Sequence, residues 1–197
     1  MRGRRNLGPD PVDYAPLFRL AADSILAANP DAVVSTAGLA PGPNRRRAVP
    51  GNPSGYPAAM YLDSLLAMGI RSQAIGIHPY TKRPRWLDAP AGTPFEPSNK
   101  VLNETLAVLG AYGLGETPLW ITEWGVDLRD ARSEGEAIAW FTTELRYLIC
   151  HPRVEFATVY ALQDRGGSKK YSLLRRDGSL TADGRAMATM LANWTDC

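Results

Sequence analysis

The stretch Pro118-Leu119-Trp120-Ile121-Thr122-Glu123-Trp124-Gly125 decides how this chain is read. Leu119 to Trp124 favours an extended, half-buried backbone, with a single carboxylate set near its end. Proline opens the run and glycine closes it, so the segment reads as a short strand whose last turn presents Glu123. An unpaired carboxylate beside two tryptophans and an isoleucine would cost roughly several kcal/mol in a core. Two readings follow. Glu123 is either a structural acid held by an arginine, or a carboxylate displayed at the carboxyl end of a barrel strand, where barrel enzymes place their chemistry.

Outward from this strand the chain alternates. Before it, Gln73–Tyr80 reads as a strand with Ile75 and Ile77 on one face and Ala74, Gly76, His78 and Tyr80 on the other. Small residues then face a crowded interior, and His78 emerges at the rim. A helix beginning at Ser98, with Leu102, Thr105, Leu106, Leu109 and Tyr112 as its apolar face, joins the two strands. After Glu123, Ser133 and Glu136 form a capping-box pair opening a helix with Ile138, Phe141, Leu145 and Leu148 inward. Val154–Leu162 reads as a strand ending in Gln163-Asp164-Arg165, and Thr181 caps a last helix carrying Met187, Met190, Leu191 and Trp194.

Nearer the start, Asp10-Pro11 is an N-cap followed by proline at the first helical position. It opens a helix with Tyr14, Leu17, Phe18, Ala21, Ile25 and Ala28 on one face. Ala32–Ala37 reads as a buried strand, and Ala58–Met68 as a helix stopped by Gly69. The order α-β-α-β-α-β-α-β-α implies parallel strands covered by helices. No glycine-rich phosphate loop follows the first strand, as a dinucleotide-binding sheet would require. Alternation alone does not choose between an open sheet and a barrel; the glutamate strand does.

The chain has 197 residues, 45% of them hydrophobic, enough for one globular domain with a core. A net charge of +2 implies neither a nucleic-acid nor a membrane partner. No apolar run approaches the ~20 residues that cross a bilayer. Met1–Asn6 is basic with no apolar stretch behind it, so it is not read as a secretory signal, and localisation stays open. His78 and His151 are the only histidines and lack ligand-like spacing, so no metal is expected, nor any cofactor. Cys150 and Cys197 fit either one bridge or two free thiols. The loops 41–56 and 81–97 are long, and long loops inside a compact domain are functional or mobile.

Leu119-Trp120-Ile121-Thr122-Glu123-Trp124-Gly125 resembles the nucleophile strand of retaining glycoside hydrolases built on a (β/α)₈ barrel, the cellulase, xylosidase and iduronidase superfamily. The resemblance implies an α/β fold corresponding to the carboxyl-terminal half of that barrel, about strands five to eight, in a single domain spanning residues 1–197. It assigns Glu123 as the nucleophile that forms a glycosyl-enzyme ester. His78 and Tyr80 match the superfamily's position at the end of strand six, where a side chain touches the nucleophile or the sugar. Trp124 and Trp86 would stack on sugar rings, and Gln163 and Asp164 would line the neighbouring subsite.

Each of these has a plainer alternative. His78 could be satisfied by a backbone carbonyl, Trp86 could pack on the prolines of its own loop, and Asp164 could pair with Arg165 or Lys169. Lys82, Arg83 and Arg85 hint at an acidic sugar. The expected general acid of the superfamily sits in an Asn-Glu-Pro segment just before a helix like the one at Asp10. Here that stretch reads Gly3-Arg4-Arg5-Asn6-Leu7-Gly8-Pro9, with arginine where the acid belongs. Retaining hydrolysis needs two carboxyl groups ~5–5.5 Å apart. The implied function is therefore O-glycosyl hydrolysis by a chain lacking its acid, or a non-catalytic carbohydrate-binding remnant. The implied partner is a carbohydrate, and four strands with open edges imply a homodimer or a missing amino-terminal half-barrel.

Overall fold

The computed structural model describes residues 9–42, 56–88, 98–163, 171–195 and 197. Five helices and three strands are laid out as α1 (Pro11–Ala28), α2 (Ala58–Ala67), β1 (Ile75–Ile77), α3 (Lys100–Ala111), β2 (Leu119–Trp124), α4 (Glu134–Ile149), β3 (Val154–Val159) and α5 (Ala182–Ala192). The strands form one parallel sheet of order β1-β2-β3. No described helix is long and apolar enough to cross a membrane. The chain divides into two compact units, residues 1–79 with 101–120, and residues 80–100 with 121–197.

In the first unit, the Asp10 carboxylate accepts from the Val12 N–H at 2.9 Å and starts α1 as the Asp-Pro pair predicts. Leu62 and Leu65 of α2 are fully buried, together with Ile75, Ile77, Leu102, Leu109 and Leu119. Gly69 ends α2 with φ 78°, a left-handed conformation that glycine adopts without penalty. α1 departs from expectation. Phe18 and Ala15 are buried, but Leu17 is 62% and Ile25 44% exposed, because α1 carries more apolar side chains than its contact with α2 covers.

The expected strand Ala32–Ala37 is instead a segment that touches β1 through two isolated parallel bridges, Ser35 with Ala74 and Leu39 with Ile77. The Thr36 N–H donates to the Ala74 carbonyl, but the Gly76 N–H donates to the Thr36 hydroxyl rather than to its carbonyl. The ladder resumes only at Leu39, whose N–H donates to the Gly76 carbonyl. Three residues on one side thus oppose two on the other, a bulge that interrupts regular pairing. A Cβ on Gly76 would lie 2.6 Å from the Thr36 carbonyl oxygen, so the close approach requires glycine.

In the second unit, the Ser133 hydroxyl accepts from the Glu136 N–H at 3.1 Å and starts α4 as expected. Ile121, Trp124, Trp140, Phe141, Leu145 and Leu148 form its core. The Thr181 hydroxyl accepts from the Gly184 N–H and starts α5. That helix buries Ala182, Gly184 and Ala186 rather than its larger apolar residues, and Leu191 is 64% exposed. The reason is close packing: a Cβ on Gly184 would fall 2.1 Å from the Leu173 carbonyl oxygen. Cys150 and Cys197 form a disulfide, which settles the open question of their pairing.

Candidate active site

Glu123 is half-buried at the end of β2. The Tyr80 hydroxyl donates to its Oε1 at 2.5 Å. Burial pushes the Tyr80 hydroxyl well above the ordinary tyrosine range, and the bond to Glu123 and that group's negative charge push it further. Tyr80 therefore remains a proton donor at any physiological pH.

Two further tyrosines complete the cluster. The Tyr171 ring lies 5.4 Å from the Tyr80 ring and 5.9 Å, edge-on, from that of Tyr160. Tyr160 follows β3 directly, and its N–H donates to the Trp124 carbonyl at 2.6 Å. The Tyr160–Ala161 peptide is cis. Gly125 allows this proximity, since a Cβ there would sit 2.3 Å from the Tyr160 carbonyl oxygen and 3.4 Å from the Tyr171 ring. Neither Tyr160 nor Tyr171 is marked by spacing or motif. The only signal is that Tyr160 ends a strand, at the position where the rim of a parallel sheet begins.

No family model and no curated protein matches the chain. Solved structures do. The chain is similar to the GH39 enzyme from Xanthomonas axonopodis pv. citri, with a TM-score of 0.63, 16% identity, and coverage of 93% of this chain and 37% of that one. A monomeric beta-xylosidase from Caulobacter crescentus CB15 gives 0.60 at 17% identity, covering 93% and 38%. A GH128 (subgroup III) curdlan-specific exo-beta-1,3-glucanase from Blastomyces gilchristii, solved with glucose, gives 0.57 at 16% identity, covering 90% and 61%.

The fold is that of part of a (β/α)₈ barrel.

The chain spans between about a third and three fifths of the length of these glycoside hydrolases. Identities this low establish the shared architecture alone. Within the barrel segment, the residues expected at the site fall out unevenly. Glu123 and Tyr80 come together. The His78 N–H donates to the Leu39 carbonyl at 2.9 Å, and the residue is half-buried. Trp124 is corrected: it is fully buried, its ring 5.2 Å from Phe141, so it packs the core instead of stacking on a sugar. Strand alternation explains this, because residues 123 and 124 point to opposite faces.

Gln163 is exposed and donates through Nε2 to the Arg175 carbonyl at 2.9 Å. Trp86 falls in a short 3₁₀ turn, Arg85–Asp88, but its side chain lies outside the described residues, as do Asp164 and the Gly3–Gly8 part of the expected acid segment. Arg83, read as a hint of an acidic sugar, is instead committed to two carboxylates. Its Nε and Nη2 donate to Glu136 at 2.5 and 2.8 Å, and its Nη1 and Nη2 to Asp88 at 2.9 and 3.0 Å. Arg83 thereby holds the Glu136 carboxyl down to about 2.

Three buried acids escaped the sequence reading. Glu144 on α4 is 7% exposed and accepts from the Thr81 hydroxyl, the Asn99 amide and the Trp140 indole N–H. It thus ties both ends of the 81–99 loop, which follows Tyr80 directly, to α4. Burial raises the Glu144 carboxyl against the pull of those three donors. Asp127 is 5% exposed and held by Arg129, whose Nε and Nη2 donate to it at 2.9 and 2.5 Å. Asp183, in the first turn of α5, is wholly buried, and neither of its oxygens has a hydrogen-bond partner among the described residues. Burial, with the charge of Asp127, pushes its carboxyl up to about 8.

Proposed function

We propose that this chain carries the nucleophile half of a retaining glycoside hydrolase, corresponding to strands five to eight of the barrel, with Glu123 as the nucleophile. The observation that carries the reading is the 2.5 Å bond from the Tyr80 hydroxyl to Glu123 at the end of a parallel strand. Barrel enzymes assemble their chemistry at that end. The Tyr80 hydroxyl fixes the rotation of one oxygen, so the other oxygen attacks the anomeric carbon. The C–O bond to the leaving group breaks as the Glu123–sugar ester forms, and water then cleaves that ester. Tyr160, 46% exposed beside Tyr171, supplies a flat apolar face of the kind on which a sugar ring stacks.

The general acid is the open element, since residues 3 to 9 contain no carboxyl group. Losing general-acid assistance typically costs 10²–10⁴-fold, but aryl glycosides with acidic phenols scarcely need it. Fluorogenic aryl glycosides should therefore be hydrolysed, Glu123→Ala should abolish turnover, and azide should restore it as a glycosyl azide. Turnover unchanged in Glu123→Ala would refute the assignment. A chain inert toward every aryl glycoside that still binds oligosaccharides would favour the carbohydrate-binding remnant.

A further inference from the structure

Tyr80 is the residue that touches Glu123, yet little holds its own backbone. The chain leaves β1 at Ile77, and among the described residues neither Tyr80 nor Thr81 makes a backbone hydrogen bond. The Tyr80 ring lies 5.4 Å from that of Tyr171, which limits its tilt. Its backbone is fixed one residue later. The Thr81 hydroxyl shares its proton between both oxygens of Glu144, at 2.9 and 2.7 Å. Consecutive Cα atoms lie ~3.8 Å apart, so Thr81 cannot be displaced without carrying the Tyr80 backbone with it.

Glu144 is itself immobile. It sits within α4 and is 7% exposed. The Trp140 indole N–H, one turn earlier on that helix, donates to it at 2.6 Å, and the Asn99 amide donates at 3.1 Å. A buried acceptor with three donors has no second position that keeps them all satisfied. Without it, the Thr81 hydroxyl and the Trp140 N–H lose their buried acceptor, a loss of about 1–3 kcal/mol for each group. The 80–81 segment would then move toward water. Arg83 adds a second tie, to Glu136 in the first turn of α4, but three residues from Tyr80 instead of one. Tyr80, Thr81, Glu123 and Glu144 all belong to the second unit.

We infer that Glu144 is a positioning residue for the reaction: through Thr81 it sets the place of Tyr80, and through Tyr80 the orientation of the Glu123 carboxyl group. The effect on catalysis rests on the reading of Glu123 as nucleophile, whereas the mechanical link does not. Misplacing a reacting group by about 1 Å from a distance can cost on the order of 10²-fold in rate.

NMR of the full chain, with carbon-13 at Cζ of its eight tyrosines, reports the bonding of each phenol. Tyr80→Phe identifies the Tyr80 signal, and Glu123→Ala gives its position when the bond to residue 123 is absent. Thr81→Val keeps the side-chain shape and deletes the donor, so it should move the Tyr80 signal toward that position. Glu144→Ala should move it at least as far, and Glu144→Gln, which keeps one oxygen for Thr81, should move it less. Leu148→Val trims a fully buried side chain of the same helix; it should lower stability and leave the signal in place. Should Glu144→Ala fail to fold, Thr81→Val carries the test.

Thr81→Val should also slow covalent labelling of Glu123 by a 2-deoxy-2-fluoro glycosyl fluoride, by roughly threefold or more. It should have no further effect in a Tyr80→Phe background, because both substitutions break one chain of contacts. A Tyr80 signal unmoved by Thr81→Val, or equal slowing in both backgrounds, would overturn the inference. A wild-type chain that no reagent labels would refute the nucleophile reading instead, and the Tyr80 signal would still decide whether Glu144 positions the pair.

Discussion

Asp183→Asn should stabilise the protein, and by more as the pH rises. Asp183 is wholly buried and has no hydrogen-bond partner among the described residues for either oxygen, and burial, with the charge of Asp127, pushes its carboxyl from the ordinary aspartate range up to about 8. Between that range and about pH 8 the folded chain keeps a proton that the unfolded chain has released. The unfolded state binds fewer protons there, so stability falls as pH rises. The penalty is absent below about pH 4, grows by roughly 1.4 kcal/mol per pH unit, and levels off above about pH 8. At pH 7 it amounts to on the order of 4 kcal/mol.

Asparagine has the same shape and does not ionise, so it removes the penalty without opening a cavity. Urea unfolding of both proteins at intervals from pH 4 to pH 9 measures the difference. The gap between variant and wild type should widen in favour of asparagine from pH 4 to pH 8 and then stay constant. A gap independent of pH, or one that narrows as pH rises, would refute the reasoning.

Three other outcomes follow from particular contacts. Tyr80→Phe removes a hydrogen bond to Glu123, of a kind worth about 1.5–3 kcal/mol, so aryl glycoside turnover should fall by roughly 10- to 100-fold. Gly125→Ala drives a Cβ to within 2.3 Å of the Tyr160 carbonyl oxygen, a backbone atom that cannot swing aside; about 1–3 kcal/mol of stability should be lost in denaturant unfolding. Cys150→Ser opens a cross-link spanning 47 residues, for which chain entropy gives about 4 kcal/mol. Its urea midpoint should drop, and that of the wild type should drop equally on reduction.

The parallel α/β plan was legible because helix starts and stops are local. Asp10, Ser133 and Thr181 each accept the N–H that a cap accepts, and Gly69 takes the conformation that glycine permits. The Glu123–Tyr80 pair was legible because Tyr80 lies just past β1 and Glu123 near the end of β2, and those strands are parallel neighbours. Trp124 was misplaced because an aromatic residue beside a catalytic candidate invites a role, whereas the two-residue period of a strand turns it to the opposite face. Ala32–Ala37 is apolar enough for a strand, but the Thr36 hydroxyl takes the N–H that a regular ladder would need. Tyr171, Glu144 and Asp183 acquire their surroundings only from tertiary packing. A partner 63 residues away, as Thr81 is from Glu144, leaves no trace in local spacing.

The most direct measurement is covalent trapping. A 2-deoxy-2-fluoro glycosyl fluoride slows both steps of a retaining hydrolase, but the ready departure of its anomeric fluoride keeps ester formation faster than ester hydrolysis, so the glycosyl-enzyme ester accumulates. Peptide mass mapping of the treated protein should find one added sugar, on Glu123, and none in Glu123→Gln. An adduct on another residue, or an unlabelled protein across gluco-, xylo- and uronic-configured reagents, would contradict a nucleophile at the end of β2.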